Sequence, residues 1–174
     1  MPTRDIHKSD PHLLSKLMDV DTDTQRVWQP EELGAILRHQ LRAPLAFDLI
    51  TVDTEVKSKL DALSATGGPA PKNFWDLLHH PRPPIELLKL TKEFGKVHRN
   101  NPESTLPRDI ATLLYFAGIV VALTRYGQRI TQLDNHSLRR GVEWVISQPW
   151  VDEPTRLVFQ EGLAIITAQE RKAP

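Results

Sequence analysis

Residues 107–127 have the sequence PRDIATLLYFAGIVVALTRYG, and between residues 110 and 123 the only polar groups are the Thr112 side chain and the Tyr115 hydroxyl. At about 100° per residue, the apolar positions surround the helix instead of forming one stripe. Such a helix is buried on every side or lies in a membrane. A bilayer span needs roughly 20 apolar residues and this run is shorter. The pattern therefore predicts the central helix of a soluble bundle, over residues 107–126.

The segments around this helix carry one-sided apolar stripes, which are typical of amphipathic helices packed on a core. Helices are predicted near residues 11–18, 30–43, 54–65, 73–80, 84–100, 134–148 and 152–168. In the helix at 84–100 the stripe consists of Leu87, Leu90, Phe94 and Val97. No segment alternates with period two for long enough to form a strand. The predicted fold class is all-α, a compact bundle of about seven helices.

Several helix ends are marked by residues that satisfy free backbone groups. Asn73, Asp134 and Asp152 are expected as N-caps, and Thr105 is expected to cap the central helix. Gly127 suits a left-handed stop at the C-terminal end of that helix.

A line of small residues, Ala111, Gly118 and Ala122, runs down one side of the central helix. Small side chains let two helix axes come close, so the line predicts tight packing against a neighbouring helix. The alternative is a ligand slot, for which Thr112 and Tyr115 are the only nearby polar groups.

One linker divides the chain. Residues 64–73, SATGGPAPKN, contain the run Gly67-Gly68-Pro69, which cannot continue a helix. We therefore predict a small N-terminal helical segment at 1–66, a linker at 67–72 and a main bundle at 73–174.

Composition excludes several classes of protein. The net charge is zero and the sequence pI is about 7.1, so no global bias favours nucleic acid or an anionic membrane. The chain has no cysteine, which excludes disulfides and thiolate chemistry. With no signal-peptide pattern at the N-terminus, we expect a cytoplasmic protein that binds no membrane.

A row of basic side chains follows the helix at 84–100, opposite its apolar stripe: Lys89, Lys92, Lys96 and Arg99. Such a row can neutralise phosphates, which makes an anionic ligand or nucleic acid a possible partner. Glu86 and Glu93 lie within one helical turn of these lysines, and interleaved charge is also typical of a plain solvated face.

Tryptophans mark the best candidate for a protein-binding surface. Trp144 falls off the buried stripe of its helix and lies one turn after Arg140, which can stack on it. Tryptophan and arginine are enriched in interface hot spots. Trp150 lies in a proline-flanked turn, and we expect it to plug the end of the bundle.

Metal chemistry has little support. Residues 21–32 give an EF-hand-like spacing of oxygen ligands from Asp21 to Glu32, but Arg26 stands where the sharp turn needs glycine. His79 and His80 are adjacent, so on a helix their rings diverge. No metal site and no cofactor are predicted.

No catalytic motif is present, neither a nucleophile elbow nor a glycine-rich phosphate loop. The leading interpretation is a non-enzymatic protein-interaction or scaffold module whose partner is another protein. The first alternative is a binder of an anionic ligand or nucleic acid through the basic helix face. The second is an enzyme whose site leaves no linear motif.

Overall fold

The structure is a computed structural model that describes residues 27–45 and 71–172. Over these ranges the chain forms six α-helices and no strand; an isolated bridge joins Pro44 and Asn73. The helices are α1 (Pro30–Arg42), α2 (Phe74–His79), α3 (Ile85–Arg99), α4 (Arg108–Tyr126), α5 (Asn135–Ser147) and α6 (Glu153–Lys172). The all-α prediction is confirmed. The predicted number of about seven helices is not matched within these ranges, and the helices predicted near 11–18 and 54–65 lie outside them.

The apolar helix α4 is 19 residues long, and twelve of its residues are buried. It is longer than the apolar run because Arg108, Asp109, Arg125 and Tyr126 also belong to it. By length and composition alone it could therefore cross a membrane, and the length argument against a span does not hold. However, 72% of its apolar window is buried inside the fold, which is the behaviour of a core helix.

The helices α3 and α4 pack more extensively than any other pair in the described ranges. A Cβ atom added at Gly118 would lie 2.5 Å from the Leu88 carbonyl oxygen and 2.8 Å from the Lys92 amide nitrogen. A Cβ atom at Gly95 would overlap the backbone of Tyr115. The predicted close approach at Gly118 is confirmed, and Gly95 is its reciprocal partner on α3.

The three predicted N-caps on the described helices are confirmed by hydrogen bonds. The Asn73 carboxamide accepts the Asp76 amide at 2.8 Å, and the Asp134 carboxylate accepts the Ser137 amide at 2.7 Å. Asp152 accepts from the Thr155 amide at 3.3 Å. These caps set where α2, α5 and α6 begin.

Two predicted positions are corrected. Thr105 does not cap α4, because the helix begins at Arg108 behind Pro107 and has no side-chain cap. Val97 does not belong to the core, since 39% of it is exposed. At the other end of α4, Gly127 has a φ of 65°, which confirms the left-handed stop.

Helix α1 shares the core of the other helices. Leu33, Leu37 and Leu41 are buried in the same apolar cluster as the α4 side chains. Beyond α1, the Leu45 amide donates to the Lys72 carbonyl at 2.9 Å. The predicted division at residues 67–72 stays a prediction, because residues 46–70 lie outside the described ranges.

Arg125 joins the C-terminal end of α2 to α4. Its Nε donates to the His80 carbonyl at 3.0 Å, and its Nη2 donates to the Leu78 carbonyl at 3.1 Å. The last carbonyl groups of a helix have no partner within the helix, and a guanidinium satisfies two of them at once.

Arg156 has the same role at the turn between α5 and α6. Its Nε donates to the Ile146 carbonyl at 3.0 Å, and its Nη2 donates to the Gln148 carbonyl at 2.8 Å. Its Nη1 pairs with Glu153 at 2.8 Å. The turn that it holds contains Trp150, whose predicted burial is confirmed because only 7% of it is exposed.

Candidate functional site

A cleft of about 470 Å³ opens between the C-terminal end of α3, the first turns of α4 and one face of α5. Its volume falls in the range of roughly 300–1,000 Å³ that is usual for ligand pockets. The cleft brings together residues that the sequence assigned to separate sites: Arg99, Arg140, Trp144, Thr112 and Tyr115. Five more side chains, which the sequence did not assign to a site, complete the lining. They come from α4, from α5 and from the connection between these helices: Arg108, Asp109, Phe116, Leu133 and Ser137.

The loop between α3 and α4 places two arginines at the same end of the cleft. Arg99 is the last residue of α3 and Arg108 is the first residue of α4. Within the loop, the Ser104 hydroxyl is hydrogen-bonded to His98 Nδ1 at 2.6 Å and accepts the Leu106 amide at 3.1 Å. The loop is thereby tied to the end of α3, which sets how the backbone at Arg99 and at Arg108 is connected.

The arginines of the cleft differ from those elsewhere in the fold. In the described part of the chain, no protein group forms a hydrogen bond or ion pair with the guanidinium of Arg99, Arg108 or Arg140, whereas the guanidinium groups of Arg125 and Arg156 are each bound to two carbonyls. The Nε of Arg99 is buried without a hydrogen-bond partner. Its guanidinium lies over the Tyr115 ring, 5.7 Å from the centroid. Apart from this ring contact of Arg99, the three cations take part in no hydrogen bond or ion pair of the described fold.

Asp109 is the one carboxyl group in the cleft lining. Burial raises the pKa of this carboxyl, and the nearby positive charge of Arg108 opposes that rise with a smaller effect. A carboxyl with a raised pKa in a cleft is typical of a functional site, although ion-pair networks also produce such shifts. Three guanidinium groups against one carboxyl make the cleft cationic.

Aromatic side chains form the apolar wall of the cleft. Gly141 lets the Phe116 ring lie directly against α5, since a Cβ atom there would overlap the ring. Trp144 is partly buried and meets Trp150 edge-on, with 6.2 Å between the ring centroids. Arg140 does not stack on Trp144 as the sequence suggested; the two side chains line the cleft side by side along α5.

The predicted basic row does not form one uniform face. Lys89 and Lys96 are exposed, but only 18% of the Lys92 side chain is exposed. The Lys92 ammonium donates to the Ile130 carbonyl at 2.9 Å. Arg99 lines the cleft. Anion binding by the row stays a prediction, and Lys92 is engaged within the fold.

No cluster of three or more histidine, aspartate or glutamate side chains suited to a metal ion occurs within residues 27–45 and 71–172. The calcium hypothesis for residues 21–32 falls largely outside these ranges. Where the segment is described, a carboxylate oxygen of Glu32 accepts the Gln29 amide at 2.8 Å and thus helps to begin α1.

We expect His98 to make the stability pH-dependent. Burial lowers the pKa of His98 below its ordinary value of 6.5. The unfolded chain therefore takes up a proton at His98 at a higher pH than the folded chain does, and stability is lost as the pH falls through 6.5. Burial also lowers the pKa of His79, so His79 adds a further loss of stability as the pH falls.

The measurement is urea unfolding of the wild type and of His98→Gln over a series of pH values below neutrality. Glutamine does not titrate, so the variant should lose less stability on acidification, although its stability at neutral pH also falls with the contacts to Phe94 and Ser104. An identical pH slope in both proteins would show that His98 takes up its proton equally in the folded and unfolded states.

Fold and cleft together define a class: an all-α protein whose described part presents a cationic cleft with an aromatic wall. No protein-family model matches the sequence, and no curated protein or solved structure matches it significantly. Function is therefore inferred from the chemistry of the cleft.

Proposed function

We propose that the protein is a non-enzymatic interaction module that holds a segment of a partner protein in the cleft. The observation that carries the proposal is the placement of Arg140 and Trp144 in one cleft with Arg99, Arg108 and Tyr115. Tryptophan, tyrosine and arginine are the residue types most enriched in interface hot spots. Hot-spot residues also cluster near the centre of an interface, where the bound partner excludes water from them.

The size of the cleft indicates what enters it. About 470 Å³ accommodates a few side chains of a partner but not a folded surface. The guanidinium groups of the cleft arginines form no ion pair within the described ranges, so binding there would break none. A cytoplasmic setting belongs to the same proposal, and the cysteine-free composition is compatible with a reducing compartment.

The two alternatives have weaker support. A nucleic-acid backbone would need a continuous basic track, and the row on α3 is interrupted at Lys92 by its bond to Ile130. For an enzyme, the cleft offers the single carboxyl of Asp109 and no histidine in its lining. Both alternatives stay open to experiment.

The proposal is tested by photo-crosslinking in native host extract. We would place a photoreactive phenylalanine analogue at Ser137, which lines the cleft, and at Gln160, which is exposed on α6. We expect a discrete protein adduct from position 137 and none of the same mass from position 160. The double variant Trp144→Ala with Arg140→Ala should abolish the adduct.

The chain offers a matched control for the double variant. Arg42 is exposed, as Arg140 is, and Trp75 is partly buried, as Trp144 is. The Arg42 guanidinium lies 4.4 Å from the centroid of a Trp75 ring, and neither residue lines the cleft. With the captured partner purified, the cleft pair should weaken binding by about 30-fold or more, while Trp75→Ala with Arg42→Ala should leave it unchanged. Equal losses in both double variants, or capture of a metabolite instead of a protein, would contradict the proposal.

A further inference from the structure

Three positive charges converge on the cleft without an acceptor. Arg99 comes from the end of α3, Arg108 from the start of α4 and Arg140 from α5. Guanidinium groups are planar, always charged and suited to bidentate recognition of carboxylate or phosphate. Convergence from three helices produces a concave cationic site, whereas a solvated helix face would spread such charges apart.

Arg99 gives an independent indication that an acceptor is missing. Its Nε is buried without a hydrogen-bond partner, which is costly for a charged donor. The guanidinium carbon lies 5.7 Å from the centroid of the Tyr115 ring, which is within the range of a cation–π contact and favours this position of the group. An anion that enters the cleft would meet a guanidinium in the lining that has no hydrogen-bonded acceptor within the described ranges.

The rest of the lining indicates which anion fits. Phe116, Leu133 and Trp144 form an apolar wall beside the arginines, so the occupant needs an apolar group next to its charge. Asp109 repels a dianion more strongly than a monoanion, because like charges in one site oppose each other. Burial raises the pKa of this carboxyl, and the nearby positive charge of Arg108 opposes that rise.

We infer that the partner segment carries a carboxylate beside a large apolar side chain, with the carboxylate held by Arg99, Arg108 and Arg140 and the apolar group packed on Phe116 and Trp144. This inference rests on the proposed function, since it names the chemistry of the segment that the module binds.

The test uses the full chain and a set of fluorescein-labelled peptides, read by fluorescence anisotropy. In each peptide a central glutamate is followed by leucine, phenylalanine or tryptophan, and matched peptides carry glutamine or phosphoserine in its place. We expect the best glutamate peptide to bind roughly 10- to 100-fold more tightly than its glutamine isostere, with an affinity that falls as salt is added.

Arg140→Gln is the informative variant, because Arg140 is exposed and its guanidinium forms no hydrogen bond or ion pair in the described ranges. It should weaken the glutamate peptide by about tenfold and leave the glutamine peptide unchanged. Arg42→Gln, outside the cleft, should change neither affinity. A loss of both peptides in Arg140→Gln would overturn the assignment of Arg140 to the carboxylate.

The remaining outcomes separate this inference from the proposed function. Equal binding of glutamate and glutamine peptides, or no binding of any glutamate peptide, would overturn the carboxylate inference and leave a partner of other chemistry. Tighter binding of the phosphoserine peptide or of a short oligonucleotide would also overturn it. If free 3-phenylpropionate competes as strongly as the best peptide, the carboxylate inference is supported and the protein partner is replaced by a small organic acid.

Discussion

Gly95→Ala is expected to lower the free energy of unfolding by about 3 kcal/mol or more, although it adds a single methyl group. The new Cβ atom would overlap backbone atoms of α4 at Ala111 and Tyr115. Backbone atoms cannot rotate away as a side chain can, so α3 and α4 would have to separate. Their separation would loosen the largest helix contact in the described part of the chain. Gly118→Leu should also lower the free energy of unfolding, because its side chain would meet the α3 backbone at Leu88 and Lys92.

Gly34→Ala is the matched control. A Cβ atom at Gly34 would lie 3.5 Å from Arg38 Nη1 and 3.6 Å from the Trp150 carbonyl oxygen, which are ordinary contacts. Since glycine within a helix costs about 0.5–1 kcal/mol relative to alanine, this variant should be more stable than the wild type. The measurement is urea unfolding of the wild type, Gly95→Ala and Gly34→Ala, compared by their midpoints. A Gly95→Ala midpoint equal to that of the wild type would show that the helices are not locked at this point.

Arg156→Leu is expected to cost about 2–4 kcal/mol of stability. Hydrogen bonds to a charged group contribute roughly 1.5–3 kcal/mol each, and this guanidinium donates to the carbonyls of Ile146 and Gln148. Leucine would keep part of the apolar stem but leave both acceptors without their donor. The turn that packs Trp150 against the core would then lose its tie to α5.

Arg156→Lys separates geometry from charge. A lysine ammonium is a compact point charge that cannot reproduce the planar fork joining two carbonyls, so it should recover less than half of the loss. Thermal unfolding of the wild type and both variants, followed by tryptophan fluorescence, provides the comparison. Full recovery by lysine would mean that a positive charge near the end of α5 is sufficient and the fork is not needed.

Much of the fold follows from local chemistry that sequence patterns report well. The caps at Asn73, Asp134 and Asp152 depend on a side chain and an amide three residues later, so spacing alone predicts them. The all-round apolar pattern of α4 likewise predicts its burial. The predicted cap at Thr105 is wrong because the helix begins two residues later than that cap requires, at Arg108, with Pro107 at the N-cap and no side-chain cap.

The two-sided burial of α3 is harder to predict from the sequence. Its apolar stripe includes Leu90, yet the helix also packs α4 through Gly95 and the buried Thr91. The Thr91 hydroxyl donates to the Leu87 carbonyl at 2.7 Å, so a polar residue is buried at little cost. The polar–apolar pattern of the sequence therefore predicts that Lys92 lies on the solvent-exposed face of α3. In the structure most of the Lys92 side chain is buried against the fold.

The candidate site could be predicted only in fragments. Arg108 and Asp109 are, in the sequence, simply charges at the start of an apolar helix. They become part of a cleft because the loop after Arg99 turns the chain back and because α5 crosses above the first turns of α4. That crossing depends on contacts such as Gly141 on Phe116, between residues far apart in sequence. No linear spacing records such a contact.

The glycine contact between α3 and α4 has a consequence for how the cleft responds to an occupant. One wall belongs to the locked α3–α4 pair, and the other belongs to α5, which packs chiefly on α6 and only sparsely on α4. We therefore expect adaptation to take the form of a small shift of α5 at its seam with α4, while α6, which packs more extensively on α4, keeps its position. In amide hydrogen exchange, ligand-induced slowing should then concentrate along that seam and leave the α3–α4 contact unchanged.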